Sequence, residues 1–429
     1  MLSQMGHIMV SVSDSVMVGR LGAVPLASVS LAVSVFSVVM LFGIGASYGM
    51  TPLVAQADGE RDIEKSASIL KHGGILNAIL GILLTGVIFI CASLLPYFGQ
   101  NPDVLKGAIP YLEILAMTLI PLMIFQSFRQ FTEGLSYTRQ AMYISVSANI
   151  LNVILNYVLI FGKFGIAPMG IIGAGYATLI SRVCMALAMG LYVLLHSRFV
   201  EYQKFFKYIR LNKARFKEII NIGIPSGMQY TFEIGAFSTA AIMVGWTGAI
   251  PLAAHQIALN LSAITYMMAT GIAAAATIRV GNQLGRKDFS TLRIAGITCF
   301  IMAGVFMAVN GLIFILGKDF LPMLYIEDQQ VVTYAASLLV VAAFFQVSDG
   351  IQAVGLGVLR GLSDVKIPTY VTLFAFWIVA IPLSYILGIK LHMEAIGIWI
   401  GLSAGLTVAA ILHVSRFLVL TKKLNQSTV

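Results

Sequence analysis

Long apolar runs separated by short polar segments make up most of the chain. The runs are about 20 residues or longer, which is the length at which an α-helix crosses a bilayer core of roughly 30 Å. The alternation of apolar and polar residues that β-barrel strands need is missing, so the pattern indicates transmembrane helices. We predict about twelve spans, near residues 1–19, 27–56, 68–97, 106–133, 138–161, 170–196, 218–247, 251–280, 290–316, 330–360, 367–388 and 395–420.

The two halves of the chain share one sequence pattern. Residues 17–27 align without a gap on residues 243–253, and eight of these eleven positions are identical. Two membrane-embedded repeats are typical of secondary transporters, in which one half moves against the other around a central site. The same register continues through the pairs Gly45/Gly271, Thr51/Thr277, Val54/Val280, Gly59/Gly285 and Asp62/Asp288.

The longest polar segment of the chain separates the two repeats and predicts the domain organisation. We expect an N-lobe of six transmembrane helices over residues 1–196, a basic cytoplasmic linker over 197–215 and a C-lobe of six helices over 216–429. Because each half has an even number of spans, the repeats are parallel. The expected fold class is an all-α integral membrane protein with a two-lobed bundle.

Composition and charge agree with a membrane location and predict an orientation. Hydrophobic residues make up 59% of the chain and charged residues 10%, whereas soluble proteins carry about 25% charged residues. Most of the 27 Lys and Arg residues fall on one side of the predicted spans, so we expect that side and both termini to be cytoplasmic, in a bacterial inner membrane. The net charge of +9 then reflects topology and attraction to anionic lipid, not nucleic-acid binding. The basic residues at the opposite side are Arg20, Lys106, Lys163, Lys318 and Lys390.

Three acidic residues lie within predicted spans, where an ionised side chain is costly. They are Asp14 in span one, Glu233 in span seven and Asp349 in span ten. A buried carboxyl group can bind a cation or take up a proton, and either event couples transport to an ion gradient. In the alternative interpretation, Asp14 is a helix-end residue at the interface, and the other two acids are fixed to a packing partner. Arg182, the one basic residue deep in a span, is a candidate partner.

Polar residues in spans five and six form a second candidate site. Asn152 and Asn156 are four residues apart and so share one helix face, and Thr178 can place a hydroxyl beside them. Together with a carboxylate, these groups offer the hard oxygen ligands that suit a small cation such as Na⁺. Hydrogen bonding between helices is their alternative role. We expect no other metal site and no cofactor.

Several short motifs, spread along nearly the whole chain, together match the pattern of one protein family. They read Asp-Ser-Val-Met-Val-Gly at 14–19, Asn-Val-Ile-Leu-Asn-Tyr at 152–157, Gly-Ala-Gly-Tyr-Ala-Thr at 173–178, Ala-Ala-His-Gln-Ile-Ala-Leu-Asn at 253–260, Ile-Arg-Val-Gly-Asn-Gln-Leu-Gly at 278–285 and Leu-Arg-Gly-Leu-Ser-Asp at 359–364. In these motifs the chain resembles the multidrug and toxic compound extrusion (MATE) transporters, specifically their bacterial NorM-like branch.

The resemblance implies a twelve-helix, two-lobed antiporter that exports amphipathic, often cationic compounds in exchange for Na⁺ or H⁺ by alternating access. The expected partners are small organic cations or other drugs and membrane lipids, and we expect a monomer. The family's sites map onto Asp14, Asn152, Asn156 and Thr178 for the N-lobe cation, and onto Glu233 and Asp349 for coupling or substrate binding in the C-lobe.

The chain departs from the family pattern at two places. The part of helix one that relatives carry before Asp14 is missing, so we expect either a misassigned start codon or a truncated first helix. A tyrosine that some relatives place one helical turn before the span-ten acid is Phe345 here. This change removes one possible cation ligand and favours a proton role for Asp349.

Three other functions fit the sequence less well. A lipid-linked oligosaccharide flippase of the same superfamily is the nearest alternative, but it would need several basic residues for a pyrophosphate, and only Arg182 lies deep in a span. An integral membrane enzyme would need a nucleophile with a base, or a metal triad, and no such motif is visible, so we expect no enzymatic activity. A structural or adaptor role would leave the three acids unexplained.

Overall fold

The structure is a computed structural model that describes residues 17–206 and 208–426. Helices and short loops make up these residues, and none of the described positions lies in a β-strand. The all-α membrane fold expected from the apolar runs is confirmed. The helices of the N-terminal half are α1 (Ala23–Ser47), α2 (Met50–Glu60), α3 (Ile63–Leu94), α4 (Pro102–Met117), α5 (Leu119–Gly134), α6 (Thr138–Phe161), α7 (Gly170–Leu195) and α8 (Val200–Phe206).

The C-terminal half has the same kind of long helices, with one irregular span. Span eleven is α-helical only in part, because two π-helical stretches, Phe374–Ala380 and Ile386–Lys390, interrupt it. The helices of this half are α9 (Lys213–Gly245), α10 (Ala249–Gly285), α11 (Phe289–Leu316), α12 (Gln329–Gly361), α13 (Lys366–Leu373), α14 (Ile381–Tyr385) and α15 (Glu394–Gln426).

Among the described residues, ten helical segments are long and apolar enough to cross a membrane. Helix α9 has 33 residues and is long enough to do so, but polar side chains such as Gln229 and Glu233 lower its mean hydropathy, so it is not one of the ten. The first predicted span, 1–19, lies outside the described residues except for a helical end at 17–19. Eleven of the predicted spans therefore correspond to helices in the described part of the chain.

Two predicted spans are interrupted near a proline. The span at 27–56 is divided into α1 and α2 at Tyr48, and the span at 106–133 is divided into α4 and α5 at Thr118. Pro52 and Pro121 lack the backbone N–H that would bond to a carbonyl four residues earlier, which weakens the helix at these places. The sequence pattern predicted the extent of these spans but not the breaks.

The chain divides into two compact units, one ending at Gly227 and the other beginning at Met228. Helix α9 therefore contributes residues to both units. The first unit has a core of buried side chains that includes Tyr111 and Phe125, and the core of the second includes Trp399 and Phe376. The two-lobed architecture expected from the repeat is thus confirmed.

The repeat is visible in the backbone as well as in the sequence. Gly22, before α1, has φ +122°, and its repeat partner Gly248, before α10, has φ +131°. Glycine adopts such a φ without the steric penalty that other residues meet. The aspartate pair of the repeat also has one role, because Asp62 accepts a hydrogen bond from the backbone N–H of Lys65 and Asp288 accepts one from that of Thr291. Each aspartate caps the N-terminus of its helix.

A close helix crossing is repeated in the two units. A Cβ atom added at Gly134 of α5 would lie 2.7 Å from Cβ of Val54, and one added at Gly361 of α12 would lie 2.9 Å from Cβ of Val280. Val54 and Val280 are repeat partners. Both glycines therefore let two helices approach more closely than a side chain would allow.

Candidate functional site

The structure brings three predicted polar residues of the N-terminal unit together. Asn156 donates a hydrogen bond to Oδ1 of Asn152 at 3.1 Å, and the Asn152 amide donates to the hydroxyl of Thr178 at 3.3 Å. Thr178 in turn donates to the carbonyl oxygen of Ala174, one turn earlier on α7. All three side chains are buried. Asp14, the acid predicted to complete this site, lies outside the described residues.

Arg182, the predicted partner of a buried acid, lies on α7 one turn beyond Thr178. Its guanidinium group donates to the hydroxyl of Thr118 at 2.5 Å and to the sulfur of Met40 at 3.4 Å. The guanidinium carbon also lies 5.3 Å from the centre of the Phe36 ring, a cation–π distance. These contacts connect α7 to α1 and to the break between α4 and α5.

Two acidic side chains are buried inside the second unit, as the sequence predicted. Glu233 on α9 is 6% exposed and Asp349 on α12 is 3% exposed. The two carboxyl groups lie close enough to repel each other when both are ionised. Tyr266 on α10 donates a hydrogen bond from its hydroxyl to Oε1 of Glu233 at 2.8 Å. Three helices thus converge on one pair of acids.

Two glutamines of α12 lie one turn before and one turn after Asp349, on the same helix face. Gln346 accepts a hydrogen bond from the hydroxyl of Thr265 at 2.8 Å, but its amide nitrogen has no partner in the described part of the chain. Gln352 is fully buried, and its side chain lies beside the Glu233 carboxyl group. Because an unpaired buried amide is costly, the Gln346 N–H groups are available to a bound ligand.

The irregular span eleven packs against the helix that carries Glu233. Trp377, in the first π-helical stretch, donates from its indole N–H to the backbone carbonyl of Phe232 at 3.0 Å. A Cβ atom added at Gly235 would lie 3.0 Å from the Trp377 ring, so the glycine makes room for this contact. The contact fixes α9 on both sides of the acid. π-Helical turns are frequent at functional sites.

Sequence reasoning missed Tyr266, Gln346 and Gln352. The spacing of the glutamines from Asp349, three residues in each direction, was a detectable signal. Tyr266 had no such signal, because it lies on a different helix from either acid.

The family of the chain follows from comparison with known proteins. The MatE family model matches residues 1–158 and 225–386. The chain belongs to the MatE family. The resemblance stated from the short motifs is therefore confirmed, and the match covers every candidate site residue except Thr178.

Curated relatives of similar length share about a third of their residues with this MatE protein. The "Probable multidrug resistance protein NorM" of Agrobacterium fabrum is 33% identical, covering 98% of this chain and 92% of the relative. The protein of the same name from Rhodopseudomonas palustris is 36% identical, covering 98% and 90%. The "Multidrug resistance protein NorM" of Photobacterium profundum is 32% identical, covering 94% and 89%.

Solved MATE structures have the same fold. The "Crystal structure of MATE in the bent conformation" matches with a TM-score of 0.92 at 22% identity, over 99% of this chain and 94% of that chain. The eukaryotic MATE transporter AtDTX14 matches with a TM-score of 0.86 at 24% identity, over 100% and 96%. These likenesses confirm the MATE fold of the protein.

Proposed function

We propose that the protein is a secondary multidrug efflux antiporter. It exports amphipathic, often cationic compounds in exchange for Na⁺ or H⁺ by alternating access. The observation that carries the proposal is the pair of buried acids, Glu233 and Asp349, on helices of the second unit. Membership of the MatE family and the names of the NorM relatives support the same function.

The buried acids give the C-lobe a means of coupling. Two adjacent carboxylates in an apolar surrounding repel each other, so the pair is stabilised by a proton, a metal cation or a cationic substrate. Only one of these can neutralise a given charge at a time. Binding of the coupling ion therefore competes with binding of a cationic compound, which is the exchange that an antiporter needs.

The N-lobe contributes a second cation site in this proposal. Asn152, Asn156 and Thr178 form a connected, buried set of oxygen-bearing groups on α6 and α7. Asp14 adds the negative charge that would draw a Na⁺ ion to these neutral ligands. Asp14→Asn should then remove ion dependence while the protein is still expressed.

The arrangement in the cell is part of the proposal. Multi-pass membrane location is shown by the apolar helices and the family. We infer further that the protein is a monomer of the bacterial inner membrane with both termini cytoplasmic. The lobes at 1–196 and 216–429 move as rigid bodies, joined by the basic linker at 197–215.

Transport by purified protein in liposomes tests the proposal. A fluorescent cationic dye should be concentrated across the membrane when a Na⁺ or an H⁺ gradient is imposed separately, and the effective gradient identifies the coupling ion. Glu233→Gln and Asp349→Asn should still bind dye but fail to concentrate it. Glu327→Gln, which changes an exposed acid of the same unit, is the matched control and should transport normally. Wild-type rates and ion dependence in both site variants would show that the acids are structural.

A further inference from the structure

A groove lies on the N-terminal unit where α3, α5, α7 and α8 come together. Its volume is about 260 Å³, below the roughly 300–1,000 Å³ of pockets for drug-sized ligands. Apolar side chains form most of its wall, among them Leu70, Ile124, Phe128 and Leu194. Because α3, α5 and α7 belong to segments apolar enough to cross a membrane, we expect the groove to face lipid.

A glycine keeps the groove open. A Cβ atom added at Gly74 of α3 would have no neighbouring atom within 4 Å, although Gly74 lines the groove. The space above Gly74 is therefore empty of protein. A chain of methylene groups fits such a space better than a ring system does, because the walls are apolar and the volume is small.

A positive charge borders the apolar wall. The ammonium group of Lys71 donates hydrogen bonds to the carbonyl oxygens of Phe206 and Ile209, each at 2.9 Å. Both acceptors are neutral, and no carboxylate of the described chain forms an ion pair with Lys71. The charge of Lys71 is therefore not neutralised by the described residues.

The same bonds hold the segment after α8 against α3. In addition to the two bonds of Lys71, Nε2 of His72 accepts a hydrogen bond from the backbone N–H of Asn212 at 2.9 Å. Phe206 is thereby placed in the wall of the groove. The apolar groove and the basic polar segment thus meet at Lys71. A phospholipid has the matching arrangement, with apolar acyl chains next to a charged phosphate.

We propose that this groove binds one acyl chain of an anionic phospholipid whose phosphate contacts Lys71. The chain lies along the apolar wall above Gly74, and the headgroup lies beside the segment that follows α8. Two exposed cations, Lys204 of α8 and Arg210 of the segment after it, add to the attraction for a net negative headgroup. A free anion would leave the apolar part of the groove unfilled. The bound lipid would connect Phe206 and the polar segment to one leaflet of the bilayer.

Native mass spectrometry of the purified protein in detergent tests the proposal. Phosphatidylglycerol and phosphatidylcholine with identical acyl chains are the probes, and the wild type should retain one phosphatidylglycerol about fivefold more tightly than phosphatidylcholine. Gly74→Leu should weaken retention of both by at least about tenfold, because its side chain occupies the groove. Gly86→Leu makes the same change on the same helix, at a glycine that is also open but lies outside the groove, and should retain lipid like the wild type.

A second pair of variants tests the charge. Lys71→Gln should bind the two lipids equally. Lys65→Gln removes another lysine of α3, one that is already paired with Glu60 of α2 at 2.7 Å, and should keep the preference. Gly74→Leu leaves every hydrogen bond of Lys71 in place, so the test stands even if Lys71→Gln fails to fold. The proposal is overturned if Gly74→Leu retains phosphatidylglycerol as well as Gly86→Leu does, or if the wild type shows no preference between the lipids.

Discussion

At the residue scale, the hydroxyl of Tyr266 distinguishes the C-lobe acids from each other. It donates to Glu233 at 2.8 Å, whereas Asp349 has no hydrogen bond of this kind among the described contacts. A hydrogen bond to a carboxylate stabilises the ionised form. In our proposal Glu233 therefore holds the negative charge of the pair more readily, and Asp349 is the group that takes up a proton.

Tyr266→Phe removes this donor and keeps the aromatic ring in place. Loss of a hydrogen bond to a charged group weakens that charged form by about 1.5–3 kcal/mol, so the pH at which dye efflux is half-maximal should rise by about one to two units. The measurement is a pH profile of efflux in proteoliposomes. Tyr334→Phe is the matched control, because Tyr334 donates to Glu394 in the same way at 2.9 Å but at an exposed position. Superimposable profiles for wild type and Tyr266→Phe would remove Tyr266 from the coupling mechanism.

At the element scale, glycines set how closely the helices pack. Gly134 packs α5 against Thr51 and Val54 of α2, and Gly361 packs α12 against Thr277 and Val280 of α10. Lipid tails are as apolar as the helix surfaces, so the hydrophobic effect does not drive helices together in a bilayer. Close van der Waals contact through small residues stabilises the pair instead. The same crossing in both units explains why these valines and threonines keep their register across the repeat.

Alanine at either glycine should destabilise the protein. The added Cβ would lie 2.8 Å from the Thr277 carbonyl oxygen at Gly361, and 2.7 Å from Val54 at Gly134, and such overpacking costs about 1–3 kcal/mol. The melting temperature in detergent should fall for both variants. Gly304→Ala is the control, since its Cβ would meet only Ile351 at 4.0 Å, and alanine is the better helix former. Equal melting temperatures for the three variants and the wild type would contradict this account of the crossing.

At the scale of the whole molecule, the distribution of basic residues predicts which side of the membrane is cytoplasmic. Lysine and arginine are kept on the cytoplasmic side during insertion. Lys213, at the start of α9, belongs to the basic side, and Lys163, between α6 and α7, belongs to the opposite side. Both residues are exposed, so each can report its side to a reagent in water.

Cysteine labelling measures this orientation directly. In a background in which Cys91, Cys184 and Cys299 are replaced by alanine, Lys163→Cys should react with a membrane-impermeant thiol reagent in intact cells. Lys213→Cys should react only after the cells are opened. The reverse pattern would invert the predicted topology.

The sequence by itself determined the fold class, the extent of most spans and the repeat. In a bilayer core, the backbone N–H and C=O groups of an apolar run are hydrogen-bonded when the run forms a helix. The length of the run alone therefore identifies a span. The pairing of Asn152 with Asn156 was also predictable, because residues four apart share a helix face. The glutamines beside Asp349 carried the same signal.

Only the tertiary structure decided which helices meet. Tyr266 reaches Glu233 from another helix, and Lys71 binds carbonyl groups more than a hundred residues away in sequence. The rotation of a helix about its axis, and the neighbour that it faces, depend on packing between side chains of distant segments. Hydrophobicity places a helix in the membrane, but it does not determine that packing.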